Sequence, residues 1–408
     1  MSRRAWIVVD LGFGDAGKGG VTDFLARDQR ADLVVRFNGG AQAGHNVVTP
    51  DGRHHTFSQF GAGTFAGVRT ALGPAFLLHP LAMVVEAEHL VRAGVSDPFA
   101  SVTVDPEARL IDPYQQATGR LREQLRGDAA HGTCGVGVGE CAADALERPE
   151  ETLWARHLGD AAAVRRALGR QRERKRAELL ALGAEDLALF DDDGLIERVV
   201  EAWGELAGAL RLAETAPRVR RAERVVFEGA QGVLLDETWG FHPHTTWSDC
   251  TPAGALALLD DRPRTVLGLT RAYAVRHGAG PFPTAGTLAV PEPHNGDGGW
   301  QGAFRTGALD GVLLRYAVRV CGGVDALAVT CVDRVPERVP TCATYVEGAS
   351  LEPGPADELG HREALGAWLR GVTPVLEERP PVAFAEEACG VRAALVSAGP
   401  SALRKRWT

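Results

Sequence analysis

The sequence predicts an α/β protein built on a mostly parallel central sheet, with a P-loop-like glycine turn and helical insertions. Three observations predict it. The apolar run Ile7–Leu11 passes directly into Gly12-Phe-Gly-Asp-Ala-Gly-Lys-Gly-Gly20 and then into a helical pattern over Val21–Ala26, the strand–loop–helix order that phosphate sites use. Further strand signals at Leu33–Val35, Arg224–Glu228, Thr265–Leu269, Ala326–Thr330 and Ala393–Ser397 are each followed by glycine or polar residues, the rhythm of a parallel sheet. Between them, residues 153–214 turn to alanine, leucine, arginine and glutamate at helical spacing, which reads as a helical insertion within one α/β unit spanning 1–408.

Composition narrows the class of partner. The 408 residues are 45% apolar and 24% charged, the mixture of an ordinary globular chain, and 44 basic against 53 acidic side chains leave a net charge of −9. That balance argues against nucleic acid or an anionic membrane as partner, so an anionic ligand must be small and locally received. The seven cysteines, Cys134, Cys141, Cys250, Cys321, Cys331, Cys342 and Cys389, form no CxxC pair and are odd in number, which predicts a reducing cytoplasm rather than a disulfide framework or zinc ribbon. The apolar run at the start is cut off at Asp10, too short for a signal peptide or membrane span. Only Lys18, Lys175 and Lys405 are lysine, so a lysine inside a glycine loop stands out.

The first loop fits two patterns. Gly12-x-Gly14-x-x-Gly17 is a dinucleotide fingerprint, and Gly12-x-x-x-x-Gly17-Lys18 is most of a P-loop, with Gly19 where a magnesium-binding Ser or Thr would stand and Asp15 available to replace it. A structural glycine turn is the third reading. Arg36 at the end of the second strand favours NADP over NAD under the dinucleotide reading. The loop Arg36–Asn46 places His45 beside glycines rather than on an apolar face, where a histidine suits proton transfer to an oxygen being phosphorylated. Gly132–Gly139 is a further glycine-rich stretch, and Gln231 sits at the turn after the strand Arg224–Glu228. His242 and His244 lack companions for a metal site. Residues from Pro291 to Gly302, and on to Phe304, read as a long mobile loop, and Glu352–His361 as a surface connection.

In order along the chain stand Gly14-Asp-Ala-Gly-Lys-Gly19, Arg36-Phe-Asn-Gly-Gly-Ala-Gln-Ala-Gly-His45, Gly132-Thr-Cys-Gly-Val-Gly-Val-Gly139, Phe227-Glu-Gly-Ala-Gln-Gly-Val-Leu-Leu-Asp236, Arg276-His-Gly-Ala-Gly-Pro-Phe-Pro-Thr284, Arg305-Thr-Gly-Ala-Leu-Asp310, Thr330-Cys-Val-Asp333 and Ser397-Ala-Gly-Pro400. This series resembles the adenylosuccinate synthetases, GTP-dependent ligases of purine nucleotide synthesis, over nearly the whole chain. The resemblance implies Asp15 as the base at N1 of the inosine ring, His45 as the acid assisting phosphoryl transfer from GTP to O6, and Gln231 beside that phosphoryl group. It implies GTP contacts at Gly14, Gly17, Lys18, Gly19, Arg305, Asp333, Ser397 and Gly399, with Asp333 reading guanine. It implies IMP contacts at Gln42, Thr133, Cys134, Arg148, Gln231 and Thr246, with Arg148 reaching across a homodimer interface. Mg2+ would be held by Asp15 and the Gly44 carbonyl, and an amino acid would supply the amine.

Departures from the family pattern cluster in particular places. Ala16 stands for a glutamate, Gly20 for a lysine, Gln42 for an asparagine, Cys134 for a threonine and Cys331 for a lysine. Val136 stands for an arginine that holds the amino-acid carboxylate, and the usual arginine-rich loop is reduced to Gly302-Ala-Phe-Arg305. The expectation is a C–N ligase with the phosphorylation half retained and the amine-donor half remodelled, so that aspartate, IMP or both could be replaced by relatives. A variant making 2-aminoadenylosuccinate is disfavoured by Asp15. An NADP-dependent oxidoreductase leaves Lys18, His45 and Asp333 without a task, and a non-catalytic nucleotide-binding regulator leaves Asp15 and His45 without one.

Overall fold

In the computed structural model, which describes residues 3–127, 130–292, 300–348 and 350–408, the apolar runs become the strands of one twisted sheet. Its strands are β1 (Arg4–Asp10), β2 (Leu33–Arg36), β3 (Arg69–Leu72), β4 (Val102–Val104), β5 (Arg211–Leu212), β6 (Arg224–Glu228), β7 (Arg264–Arg271), β8 (Ala326–Thr330), β9 (Ala393–Ser397) and β10 (Lys405–Trp407). They lie side by side in the order 10-9-8-7-1-6-2-3-4-5, parallel throughout except where β10 turns back along β9. Near-continuous apolar runs are what a strand covered on both faces requires. In β1, Ala5, Ile7 and Val9 face one core and Trp6 and Val8 the opposite one. The helix α1 (Lys18–Asp28) covers the second core through Val21, Phe24 and Leu25, and the helix Gly311–Val320 covers the first through Val312, Leu313 and Tyr316.

Helix α1 begins three residues before the predicted pattern. Gly19 and Gly20 weaken its signal, yet Gly19 is needed because a Cβ there would lie 2.8 Å from the backbone carbon of His45. In residues 153–214 the helices Ala161–Ala181, Ala188–Asp191 and Leu195–Ala209 pack Leu168, Phe190 and Trp203 into a third core with Met83, Leu90 and Tyr114, and the segment returns as edge strand β5. The sequence reading missed an antiparallel pair, Ala274–His277 with Phe304–Gly307, and a small sheet of Leu309–Asp310, Val339–Tyr345 and Pro374–Arg379. Of the predicted mobile loop, residues 293–299 lie outside the described residues; Phe304 opens a strand instead, and the helix Leu359–Leu369 begins inside the predicted surface connection. No helix among the described residues is long and apolar enough to cross a membrane.

Asp310 shows how the small sheet is fastened to the core. Its carboxylate accepts from the amides of Val312 and Leu313 (3.0 and 3.1 Å) at the start of their helix, and from the Tyr345 hydroxyl (2.8 Å). Burial pushes this carboxyl up to about 6. A folded pKa above the unfolded value of 3.8 means that the associated stability is complete below that value and is lost as pH rises through about 6. Asp310→Asn, which does not titrate, is therefore expected to cost more at pH ~4.5 than at pH ~8, by about 2 kcal/mol at most. Urea unfolding of both proteins at the two pH values checks this; an equal cost at both would refute it. Asp112 and Asp236, also pushed up by burial, are common to both proteins and cancel in the difference.

Candidate active site

The strand order puts β1 between β6 and β7, so the loops leaving β1, β6, β2, β7 and β8 meet at one edge of the sheet, where open α/β folds receive ligands. Asp10, the last residue of β1, shapes the first loop. One carboxylate oxygen accepts from the Gly12 amide (2.9 Å), and the other accepts from the Ala16 amide (2.9 Å) and the Lys18 ammonium (2.7 Å). Lys18 and Asp10 are both buried, and two of the ammonium's three protons remain for a ligand. The turn needs left-handed backbone at Gly14, Asp15 and Gly17. From β7, Arg271 Nε donates to the Asp15 carbonyl (2.6 Å), and from β8, Thr330 Oγ1 donates to the Ala16 carbonyl (2.9 Å). The Asp15 carboxylate is left 37% exposed, 3.4 Å from His277 Nε2.

The β6 loop lies directly on the β1 loop. A Cβ on Gly232 would collide with the Gly12 carbonyl and the Gly14 amide, so glycine is obligatory there, and Gln231, itself left-handed, is held beside Gly14. Asn38 ties in the β2 loop: its Oδ1 accepts from Ala230 N (2.8 Å) and its Nδ2 donates to the Asp249 carbonyl (2.7 Å). Two buried polar groups in the segment after β2 have no partner among the described residues, the Gln42 amide and the Nε2 of His45, which opens the short strand His45–Val48 rather than lying in a loop. Such groups are costly unless something binds them. His45 Nδ1 lies 2.6 Å from Glu228 Oε1, while Glu228 Oε2 accepts from Ala62 N (3.0 Å). Burial, with Arg36 assisting, pushes His45 down to about 4, so the imidazole is neutral. Burial works against the Glu228 carboxylate as well, but its hydrogen bonds and the Arg36 charge keep it ionised, which places the histidine proton on Nδ1 and a lone pair on Nε2.

Arg36 corrects the dinucleotide reading. Its side chain is wholly buried, donates to the Phe60 carbonyl (3.2 Å) and lies over the Phe76 ring, so it presents nothing to a ribose phosphate.

The remaining predicted residues fall into three groups. Asp333 is exposed in a 3-10 turn after β8, and Ser397 Oγ donates to the Gly399 carbonyl (3.2 Å) in the loop after β9. The amides of Gly132 and Thr133 are committed to Glu123 (2.9 and 3.1 Å), so Thr133 retains its hydroxyl but not a free N–H; Cys134 has its thiol pushed up by burial and is uncharged. Arg148 closes the far end of the helix Val138–Glu147, whose ten residues span about 15 Å, and is not brought to Thr133 and Cys134 within one chain. Thr246 donates its amide to the Leu235 carbonyl (2.7 Å), leaving the side chain half-exposed.

Around the predicted amine-donor pocket, Val136 packs on an apolar group that includes Leu77, Ile111 and Cys141. Arg276 spends its guanidinium on the carbonyls of Ala279, Pro281 and His244, over the Phe13 ring, and burial pushes it down to about 9. Arg305 donates to the Gly278 carbonyl (2.5 Å) and Gly280 carbonyl (3.2 Å), and its Nε has no partner among the described residues. Ala303 is exposed.

No group of three or more His, Cys, Asp and Glu among the described residues could hold a metal by itself. One half-exposed carboxylate, Asp15, and the exposed Gly44 instead fit Mg2+ arriving with nucleotide phosphates, which supply its other ligands. Sequence reasoning missed Asp10, Asn38, Glu228, Arg271 and His277. A lone acid at the carboxyl end of an otherwise apolar strand was the available signal for Asp10 and Glu228.

A family model described as adenylosuccinate synthetase matches residues 7–402. Adenylosuccinate synthetases of Caldanaerobacter subterraneus and Trichlorobacter lovleyi are 31% and 32% identical, each alignment covering 97% of this chain and 96% of the relative. Among solved structures, a fully ligated adenylosuccinate synthetase from Plasmodium falciparum superposes with a TM-score of 0.81 at 18% identity, covering all of both chains. The succinoaminodeoxyadenylate synthetase of cyanophage S-2L, bound to dGMP and to dATP as an energy donor, gives 0.64 at 18% identity, covering all of this chain and 96% of that one. The chain belongs to the adenylosuccinate synthetase family, C–N ligases whose reaction joins aspartate to IMP at the expense of GTP.

Proposed function

We propose that this chain activates the 6-oxo group of IMP with the residues gathered at the ends of β1, β6 and β2, and that its amine-donor pocket has been rebuilt. The observation that carries this is the contact between the glycine loop and the Gln231 turn, with the unpartnered Gln42 amide and His45 Nε2 in the adjoining segment after β2. In this reading Asp15 takes the N1 proton, the O6–P bond forms as the γ-phosphoryl leaves GDP, and the amine then attacks C6 and expels phosphate. Lys18, with the amides of the glycine loop, holds the transferring group, and Gln231 lies beside it. Mg2+ held by Asp15 and the Gly44 carbonyl would neutralise phosphate charge. His45 starts neutral; a phosphate dianion near Nε2 favours the protonated form and so readies it as an acid. Asp333, with Ser397 and Gly399, takes the guanine. Arg305 is assigned to GTP. The 5′-phosphate of IMP falls to Thr133, Cys134 and Thr246, joined by Arg148 of a second copy in a homodimer, since the helix between them holds Arg148 away from its own loop.

The amine-donor half rests on different observations. A dicarboxylate would meet Val136, which packs with apolar side chains, an exposed Ala303, and an Arg276 each of whose three nitrogens already donates to a carbonyl. Charge stripped of water and returned few hydrogen bonds costs several kcal/mol. Saturation with aspartate at fixed IMP and GTP is expected to give a KM of about 1 mM or weaker, about 4 kcal/mol of binding free energy or less. A micromolar constant would show that another cation, Arg305 foremost, has rebuilt the clamp. A second amine donor preferred to aspartate in a mass-spectrometric screen would identify the replacement.

A further inference from the structure

All three lysines of this arginine-rich chain are buried, and two of them have carboxylate partners: Lys18 with Asp10, and Lys175 with Glu140 and Asp144. Lys405 has no ion pair within 4 Å among the described residues. It stands on β10, opposite Ser397 of β9, and its ammonium donates to three successive carbonyls, those of Gly399 (3.3 Å), Pro400 (3.0 Å) and Ser401 (3.1 Å). That uses all three of its protons. Three carbonyl dipoles converging on one point repel each other unless a cation lies among them. The turn they belong to begins at Ser397 and includes Gly399, whose φ of 147° few other residues adopt.

The same ammonium reaches the other end of the site. Gly20 lies in the first turn of α1, directly after the glycine loop, and a Cβ there would lie 3.1 Å from Lys405 Nζ and 3.4 Å from the Pro400 carbonyl. A side chain at position 20 would therefore press on the ammonium and the turn, which would have to give by a few tenths of an ångström. Burial pushes Lys405 down to about 8, while the carboxylates of Asp23 and Asp333 act in the opposite direction.

We infer that Lys405 is a positioning residue for the triphosphate's base: by gathering the carbonyls of residues 399–401 against the start of α1, it fixes the base slot relative to the phosphate loop. This rests on the reading that Asp333, Ser397 and Gly399 take the guanine. Lys405 touches no substrate in this view, and its removal moves one half of the site while leaving the IMP half in place.

The test is the steady-state kinetics of Lys405→Met, with Asp333→Asn measured in parallel, each with GTP and with ITP, which lacks the 2-amino group. Lys405→Met is expected to raise KM for GTP by about tenfold or more, to leave kcat at saturation and KM for IMP within about threefold, and to narrow the preference for GTP over ITP. Lost folding alone would instead lower active enzyme equally in every assay. If Asp333→Asn abolishes the GTP preference while Lys405→Met leaves KM for GTP unchanged, the inference fails and the reading of the base slot stands. If Asp333→Asn leaves the preference intact, the slot is elsewhere and the inference falls with it. Should Lys405→Met not fold, Gly20→Ala takes its place. Its methyl crowds the ammonium without removing it; the same rise in KM for GTP alone is expected, and an unchanged value overturns the proposal.

Discussion

Asp15→Ala is expected to lower turnover with IMP, GTP and Mg2+ by at least about a hundredfold, the scale of losing a positioned general base. The fold should lose little by comparison. The carboxylate is 37% exposed, with His277 Nε2 3.4 Å away, while the loop around it is held through backbone groups by Asp10, Arg271 and Thr330. Asp15 is in the left-handed region, which alanine tolerates less well than aspartate, so the exchange should cost about 1 kcal/mol, small beside the loss of turnover. Phosphate release with saturating substrates, set beside a thermal melt, separates the two effects. Near-native turnover in a folded Asp15→Ala protein would remove Asp15 from the chemistry.

Asp10→Ala should do the reverse and damage the fold first. It strands the Lys18 ammonium in a buried site and leaves the Gly12 and Ala16 amides without their acceptor. Breaking one side of a buried ion pair costs about 3–5 kcal/mol, and the freed amides add to that. Urea unfolding measures it. Asp10→Asn keeps the shape but presents a donor on one side, so either the Gly12 amide, or Lys18 and the Ala16 amide together, face an N–H; its cost should be smaller, and its phosphate affinity still poor because the loop no longer closes. A cost below about 1 kcal/mol for Asp10→Ala would mean that the pair does not organise the loop.

How much of this was legible in the sequence depends on how local the cause is. The bounds of β6, β8 and β9 follow from their apolar runs, because a strand buried on both faces needs nothing from elsewhere to be recognised. The start of α1 was misplaced because Gly19 and Gly20 answer to His45 and Lys405, both distant in sequence, rather than to helix propensity. The strand Pro374–Arg379 is largely exposed and carries three charged residues at its end, and so gave no alternating signal to read. Among the site residues, the glycine loop, His45, Gln231 and Asp333 belong to continuous motifs. Asp10 and Glu228 act through register: Val8 of β1 lies opposite Glu228, and the carboxylate of Glu228 then meets a histidine from the segment after β2. Arg36 was misread for the same reason, since only the packed structure shows that its guanidinium points inward.

The position of β1 has a consequence for how the chain is made. It is the first strand of this sheet in chain order, yet its two neighbours are the sixth and seventh: Val8 pairs with Glu228, and Val9 with Gly268. Contacts of such separation cannot form until the chain has been translated past residue 268, and long-range parallel pairing is slow once it can begin. During that interval an apolar strand and the glycine loop behind it lack both neighbours, with unpaired backbone groups on each side. The glycine loop is thus made well before the strands that hold it in place. A chain truncated before residue 264 would carry the glycine loop and His45 but not β7, whose Arg271 holds the loop closed.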